Sequence, residues 1–174
     1  MRPFLFLFAL GAAAILPLAA SPAEAEVAGP EHPEASPYVE LPETAVTAQL
    51  MALRTVAIAQ GKRMMVIFGA NWCHDSRALA GTLETPRFKS LVERHFTLLY
   101  VDAGTPQEGD GRNMELAARL GVPDIEGTPN LLIIDPATGK LLNTPDDARS
   151  WRDAASRGED DIYGDLAGFA AEGN

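Results

Sequence analysis

Residues 64–76 read MMVIFGANWCHDS, and they determine which fold is expected. The first five of these residues form a continuous apolar run of strand length, which is typical of a central strand that is covered on both faces. The next residues, 69–72, read as a turn, and a helix is predicted from Cys73 to about Leu83. The only cysteine of the chain is therefore expected at the start of a helix that follows a buried strand.

Cys73 occupies a position that favours a thiolate. Unpaired backbone N–H groups and the positive end of the helix dipole stabilise negative charge at a helix N-terminus. A protonated His74 would add to this effect and Asp75 would oppose it, while the Ser76 hydroxyl could donate a hydrogen bond to the sulfur. A reactive, accessible thiol is the favoured interpretation, and a buried, inert thiol is the alternative. No metal site is predicted here, because adjacent residues on a helix point in diverging directions.

The elements around this segment alternate between strands and helices. Hydrophobic spacing, glycine stops and proline starts predict the following: helices over 44–60, 85–94 and 113–120, strands over 96–101 and 131–134, a turn at 135–139 with a return strand at 140–142, and one or two helices over 146–172 that break at Gly158. The loop from Gly104 to Gly111 is expected to be a solvated connection. Trp151 is expected to pack in the core.

Three motifs of this pattern resemble those of the thioredoxin family, over a region from about residue 63 to residue 142. They are Trp-Cys-x-x-Ser at 72–76 after the buried strand, Val-Asp at 101–102, and Gly-Thr-Pro at 127–129 before the third strand. The resemblance implies an α/β protein with the thioredoxin fold. Such a fold has a central mixed β-sheet flanked by helices, here with an N-terminal helix and extra C-terminal helices.

The resemblance also implies roles for residues of two motifs. In the thioredoxin family a cis-proline packs against the active cysteine, which implies that Pro129 packs in this way against Cys73. Trp72, Thr128 and Pro129 would then frame a segment of a client protein. The candidate catalytic residues are Cys73, Ser76 and His74.

Two positions depart from the family pattern. Ser76 stands where the family has its second cysteine, and Ile67 stands where thioredoxins commonly carry a buried acid. Because a serine alcohol cannot displace a thiolate, a mixed disulfide at Cys73 must be resolved by another thiol. The resemblance thus implies a monothiol protein that reduces or isomerises disulfides of client proteins. No cofactor is expected apart from glutathione as a candidate co-substrate, and a membrane-linked or small-molecule reductant is a candidate partner.

Two further functions remain open. A non-catalytic binding module would hold an extended peptide in the groove beside Pro129 through main-chain pairing. A thiol peroxidase would need only a cysteine at a helix start and an external resolving thiol, and the sequence supplies nothing more specific for it.

Composition excludes other classes of function. The chain has 174 residues, with 14 Lys and Arg against 24 Asp and Glu, and its net charge of -10 argues against binding to nucleic acid. Its single cysteine excludes an intramolecular disulfide framework and a multi-cysteine zinc site.

The N-terminus predicts export. Residues 1–25 read as a signal peptide, because Arg2 precedes an apolar run that Pro17 interrupts, and cleavage is expected after Ala25 or, alternatively, after Ala23. The run is too short to span a membrane comfortably, so an uncleaved anchor is the less favoured alternative, and no stable membrane insertion is expected after cleavage. The mature protein is therefore expected in the periplasm or outside the cell, where disulfides persist.

The rest of the chain is expected to form one domain. Residues 26–43 are rich in Pro, Glu and Ala and are expected to be a flexible lead-in. Residues 44–174 then form a thioredoxin-like domain with its core at about 63–142.

Overall fold

The computed structural model describes residues 32–171. The expected signal peptide and residues 26–31 of the expected lead-in lie outside this range. The helices are α1 (Glu43–Gln60), α2 (His74–Glu84), α3 (Pro86–His95), α4 (Met114–Arg119), α5 (Pro145–Ser150) and α6 (Glu159–Ala171), and the strands are β1 (Arg63–Gly69), β2 (Phe96–Asp102), β3 (Gly104–Thr105), β4 (Asp110–Gly111) and β5 (Asn130–Ile134). Short 3-10 turns lie at Pro106–Glu108 and Trp151–Ser156.

The main sheet has three strands in the order β2-β1-β5. Strand β1 runs parallel to β2, with Arg63 opposite Phe96 and Gly69 opposite Asp102. It runs antiparallel to β5, with Phe68 opposite Asn130. The predicted mixed sheet is therefore confirmed, and its central strand is β1.

The two faces of β1 belong to two separate parts of the core. Met65 and Ile67 pack on one face with side chains of α2, α3, the 151–156 turn and α6. Met64, Val66 and Phe68 pack on the other face with side chains of α1 and α4. Since successive side chains of a strand point to opposite faces, an unbroken apolar run is required for a strand that is covered on both sides.

Most sequence predictions of secondary structure hold to within a residue at each end. The helical tail breaks between Ser156 and Glu159, and Trp151 is buried as expected. The loop 104–111 differs from the prediction, because it contains the small antiparallel pair β3–β4.

The predicted return strand at 140–142 is wrong. Only one bridge, between Ile134 and Leu141, joins this segment to β5. The side chain of Asn143 takes the place of further main-chain pairing, since it accepts a hydrogen bond from the Ile133 N–H (3.0 Å) and donates one to the Leu131 carbonyl (2.9 Å). This amide covers the outer edge of β5.

The expectation of a flexible lead-in does not hold for residues 32–42, which we call the strap. The strap contains no helix or strand, yet it packs along α2 and reaches the end of β1. Tyr38 is buried in the core, and its hydroxyl donates to the Ser76 carbonyl at 3.4 Å. His32 bonds to the Arg157 carbonyl and to the Thr82 hydroxyl. The composition of the strap did not indicate these contacts, because they are made with residues distant in sequence.

Within residues 32–171, no helix combines the length and the apolar character that crossing a membrane requires.

Gly81 should be required for the strap to dock. A Cβ at this position of α2 would overlap the Pro33 carbonyl group, whereas a Cβ at Gly164 in α6 meets nothing within 4 Å. We expect Gly81→Ala to lower the free energy of unfolding by about 2 kcal/mol, the typical cost of overpacking. Gly164→Ala is the matched control and should be neutral or stabilising by up to about 1 kcal/mol. Urea unfolding measures both, and equal effects of the two changes would contradict the packing of the strap against α2.

Candidate active site

Cys73 is held at the junction between β1 and α2. It is the N-cap residue of α2, with extended backbone angles, and its N–H donates to the Ala70 carbonyl at 3.1 Å. Its own carbonyl accepts from the Arg77 N–H at 3.1 Å, which closes the first turn of the helix. The predicted position of the cysteine is therefore confirmed.

Ser76 fixes the same turn from the inside. It is fully buried, and its hydroxyl oxygen accepts a hydrogen bond from the Ala70 N–H at 3.3 Å. The hydrogen bond expected from Ser76 to the sulfur is not among those of the described residues. The Ser76 oxygen gives the buried Ala70 N–H, at the end of the strand, the partner that water cannot supply. Ser76 thus positions the loop that carries Cys73.

The Thr128–Pro129 loop lies against the sulfur. The Thr128–Pro129 peptide bond is cis, and both residues are buried. The Cys73 Sγ donates to the Thr128 carbonyl at 3.3 Å. Only 8% of Cys73 is exposed, so the thiol is less open than expected, because this loop covers one side of it. The structure therefore brings Cys73 together with Thr128 and Pro129.

Trp72 forms the exposed apolar surface next to the cysteine. Half of this residue, 51%, is open to solvent, while its indole Nε1–H donates to the Gly104 carbonyl at 3.0 Å. Gly104 follows β2, whose last residue, Asp102, is buried and paired with Arg112 at 3.0 Å. The indole ring is thus fixed in orientation while one face remains available, which is the arrangement that a contact with a client would need.

The side chains of His74 and Asp75 engage partners other than the sulfur. His74 is exposed, and its Nδ1 lies 2.8 Å from Glu34 Oε1 of the strap. Asp75 Oδ1 accepts from the Ala155 N–H at 2.9 Å. Because these side chains and that of Cys73 each have a different partner, they do not converge on a point where an ion could bind. Within residues 32–171, no cluster of three or more His, Cys, Asp or Glu side chains is placed to hold a metal.

Arg77 is a site residue that the sequence reasoning missed. Its Nη1 donates to the carbonyls of Asn71 and Trp72, both at 3.0 Å, and its Nε donates to Glu34 Oε2 at 3.0 Å. One guanidinium therefore ties the turn before Cys73 to the strap. The pKa of Glu34 lies below its ordinary value, first because of the hydrogen bond from Arg77 and second because of the one with His74.

Tyr38 and Asn71 complete this attachment. The Asn71 side chain accepts from the Tyr38 N–H at 3.1 Å and donates to the Tyr38 carbonyl at 2.8 Å. The Tyr38 ring packs over Gly69, where a Cβ would overlap it. Burial raises the pKa of Tyr38 far above its ordinary value, so this hydroxyl stays protonated. The sequence signal that could have identified the contact is an aromatic residue within an otherwise polar, proline-rich segment.

The pKa of Glu34 provides a test of the Arg77 contact. We expect Arg77→Gln to raise this pKa toward the ordinary glutamate value, and His74→Gln to raise it less, because the arginine is the larger cause of the shift. A carboxylate with a lowered pKa stabilises the folded strap at neutral pH, and this contribution is lost as the pH falls through the folded-state pKa. NMR titration of the Glu34 carboxyl carbon measures the pKa. An unchanged value in the Arg77 variant would contradict the contact.

Comparisons with known proteins agree with this architecture. Residues 45–136 match the thioredoxin-like family. The structure is similar to the crystal structure of a disulphide isomerase from Xylella fastidiosa Temecula1, with a TM-score of 0.67 and 27% sequence identity over 78% of this chain and 97% of that chain. No curated protein matches the sequence significantly. Because the family match spans more than half of the sequence and agrees with the observed fold, this chain belongs to the thioredoxin-like family.

Proposed function

We propose that this protein is an exported monothiol enzyme that exchanges disulfides of client proteins through Cys73, by isomerisation or reduction. The observation that carries the proposal is the sulfur at the start of α2, 3.3 Å from the Thr128 carbonyl beside Pro129. The half-exposed indole of Trp72 lies next to it in the chain. The similarity to a disulphide isomerase supports the same reaction class.

The first step is attack of the Cys73 thiolate on a client disulfide. A bond forms between Cys73 Sγ and one client sulfur, the client S–S bond breaks, and the second client sulfur leaves with the electron pair as a thiolate. The thiol first loses to solvent the proton that it donates to the Thr128 carbonyl, and positive partial charge at the start of α2 favours the resulting thiolate. Trp72, Thr128 and Pro129 would hold the client segment during this attack.

The second step must use a thiol from outside the chain. Ser76 offers an alcohol, and its oxygen is occupied by the Ala70 N–H. A second thiolate of the same client can attack the mixed disulfide, which forms a new client disulfide and returns Cys73 as a thiolate. This cycle moves a disulfide within the client without net oxidation or reduction, so isomerisation needs only that Cys73 starts reduced.

Reduction of clients requires a further reactant. One glutathione thiolate can attack Cys73 Sγ, which releases the reduced client and leaves a disulfide between Cys73 and glutathione. A second glutathione thiolate then attacks the bound glutathione sulfur, which forms oxidised glutathione and returns the Cys73 thiolate. A membrane-linked or small-molecule reductant would keep Cys73 reduced after export. The signal peptide predicted at residues 1–25 supports a site of action in the periplasm or outside the cell, where client disulfides form.

Ser76 and His74 take indirect roles in this proposal. Ser76 positions Cys73 through the Ala70 N–H. His74 contacts Glu34 and helps to hold the strap beside the site.

The reactivity of Cys73 is tested with hydroxyethyl disulfide, a small neutral disulfide. We expect the reduced native protein to form one mixed disulfide, because Cys73 is the N-cap residue of α2, where the helix dipole favours an attacking anion. The same chain unfolded in urea is the reference for a fully accessible thiol. Intact mass spectrometry follows the adduct. The Cys73→Ala variant is the control and should form none. A native protein that forms no adduct while the unfolded chain reacts would overturn the proposal.

A second candidate function, a non-catalytic peptide-binding module, is favoured by the low exposure of Cys73. The structure limits how such a module would bind, because Asn143 covers the outer edge of β5 at Leu131 and Ile133. A peptide in the groove beside Pro129 would then pair with main-chain groups of the segment around Thr128. Clients that bind Cys73→Ala as well as the native protein would favour this module over thiol chemistry.

A further inference from the structure

Arg152 lies beside the loop that covers Cys73. It belongs to the 3-10 turn Trp151–Ser156, and its aliphatic part lies over Gly127, where a Cβ would be 3.4 Å from the Arg152 Cδ. Its Nη2 donates to Asn130 Oδ1 at 3.3 Å. The guanidinium therefore spans the two residues that flank Thr128 and Pro129.

The 3-10 turn is itself attached to the start of α2. The Ala155 N–H donates to Asp75 Oδ1 at 2.9 Å, two residues after Cys73. The 3-10 turn that carries Arg152 is thus joined to the first turn of α2 through Ala155, and to the segment around Thr128 and Pro129 through Arg152. These are the two elements that bring Cys73 Sγ and the Thr128 carbonyl together.

The charge of Arg152 is not paired at contact distance within the part of the chain that the structure describes, although Glu126 attracts it from farther away. The nearby Arg149 pairs with Asp146, and Arg157 pairs with Asp153 and Asp165. Arg152 has no carboxylate within 4 Å in residues 32–171, and its Nε is buried without an acceptor. Burial, and secondly the charge of Arg149, lower the pKa of Arg152.

A second polar group of the same loop also lacks a partner within residues 32–171. The Thr128 side chain is buried, and its hydroxyl makes no hydrogen bond there. A buried donor without a partner costs about 1 to 3 kcal/mol, and such groups are rare enough in folded proteins that each of them calls for an explanation. Arg152 Nε and Thr128 Oγ1 can both donate to an oxygen anion.

We infer that Arg152 is a specificity-determining residue that binds a carboxylate near the sulfur of the partner of Cys73. This inference rests on the proposed thiol exchange and names the chemistry of its substrates. A carboxylate is the partner that fits a guanidinium best, because paired N–H donors match its two oxygens. The carboxylate comes either from glutathione or from an acidic residue beside the client cysteine.

Arg152 also changes the electrostatic field at the site. The chain carries a net charge of -10, which disfavours the approach of anionic partners. A half-buried guanidinium without an internal ion pair provides local attraction for an anion beside Pro129. This local charge would select anionic thiols in spite of the overall charge of the protein.

The test compares two disulfides on the same thiol. With oxidised glutathione, Cys73 Sγ bonds to one glutathione sulfur and the other leaves as a thiolate, and with hydroxyethyl disulfide a mercaptoethanol thiolate leaves instead. We expect Arg152→Gln to lower the ratio of the glutathione rate to the hydroxyethyl disulfide rate about fivefold, or about 1 kcal/mol. Arg152→Lys should retain part of the ratio. Arg94→Gln, on α3 at the opposite end of the sheet, is the control with the same loss of charge.

The outcomes separate this inference from the proposed function. A ratio that is unchanged in Arg152→Gln, or that falls equally in Arg94→Gln, overturns the role of Arg152 while thiol exchange stands. A native protein that reacts with neither disulfide overturns both.

Two peptide disulfides identify the source of the carboxylate. They differ only in an aspartate or an asparagine next to the cysteine. If Arg152→Gln loses the preference for the aspartate peptide but not for oxidised glutathione, Arg152 binds an acidic residue of the client. If it loses only the preference for oxidised glutathione, Arg152 binds a carboxylate of glutathione. Carboxylate recognition is overturned if the native protein reacts with both peptides at equal rates and Arg152→Gln leaves the ratio of the glutathione rate to the hydroxyethyl disulfide rate unchanged.

Discussion

Strand β1 determines where Cys73 lies. The strand is paired on both edges, with β2 and β5, and covered on both faces by the core. Its end at Gly69 therefore cannot shift without breaking strand hydrogen bonds and core packing. The turn that follows is closed by hydrogen bonds from the Ala70 N–H to Ser76 and from the Cys73 N–H to the Ala70 carbonyl. Because β5 pairs with β1, the same strand also fixes the loop that contains Thr128.

The turn between β1 and α2 carries one thiol, that of Cys73, and the residues around it provide no second group for disulfide chemistry. The second cysteine of the family pattern is Ser76, whose oxygen has a structural hydrogen bond. Ile67, at the position where thioredoxins commonly have a buried acid, is fully buried in the core. The core beside Cys73 therefore offers neither a resolving sulfur nor a proton acceptor for one, which is why the proposed reaction returns to its starting state only with a thiol from a partner.

The sequence predicts those features that depend on local patterns. The apolar run of β1, the helix start at Cys73 and the Thr128–Pro129 motif all lie within short segments, and the structure brings them together as expected. The strap, Arg77 and Arg152 could not be predicted in the same way, because their roles come from contacts with residues far away in the sequence. The hydrogen bond from the Ala70 N–H to the Ser76 oxygen was not predicted either, because it depends on how the turn closes.

The proposed function requires that the Cys73 thiol, at the junction of β1 and α2, suffices to move disulfides within a client. The most direct measurement is the recovery of activity by fully oxidised ribonuclease with scrambled disulfides and no free thiol, without a redox buffer. The account predicts that the reduced protein, at a small molar fraction of the client, restores activity over many turnovers, while Cys73→Ser does not. Recovery at the same rate with both proteins, or adducts on Cys73 without any recovery, would contradict it.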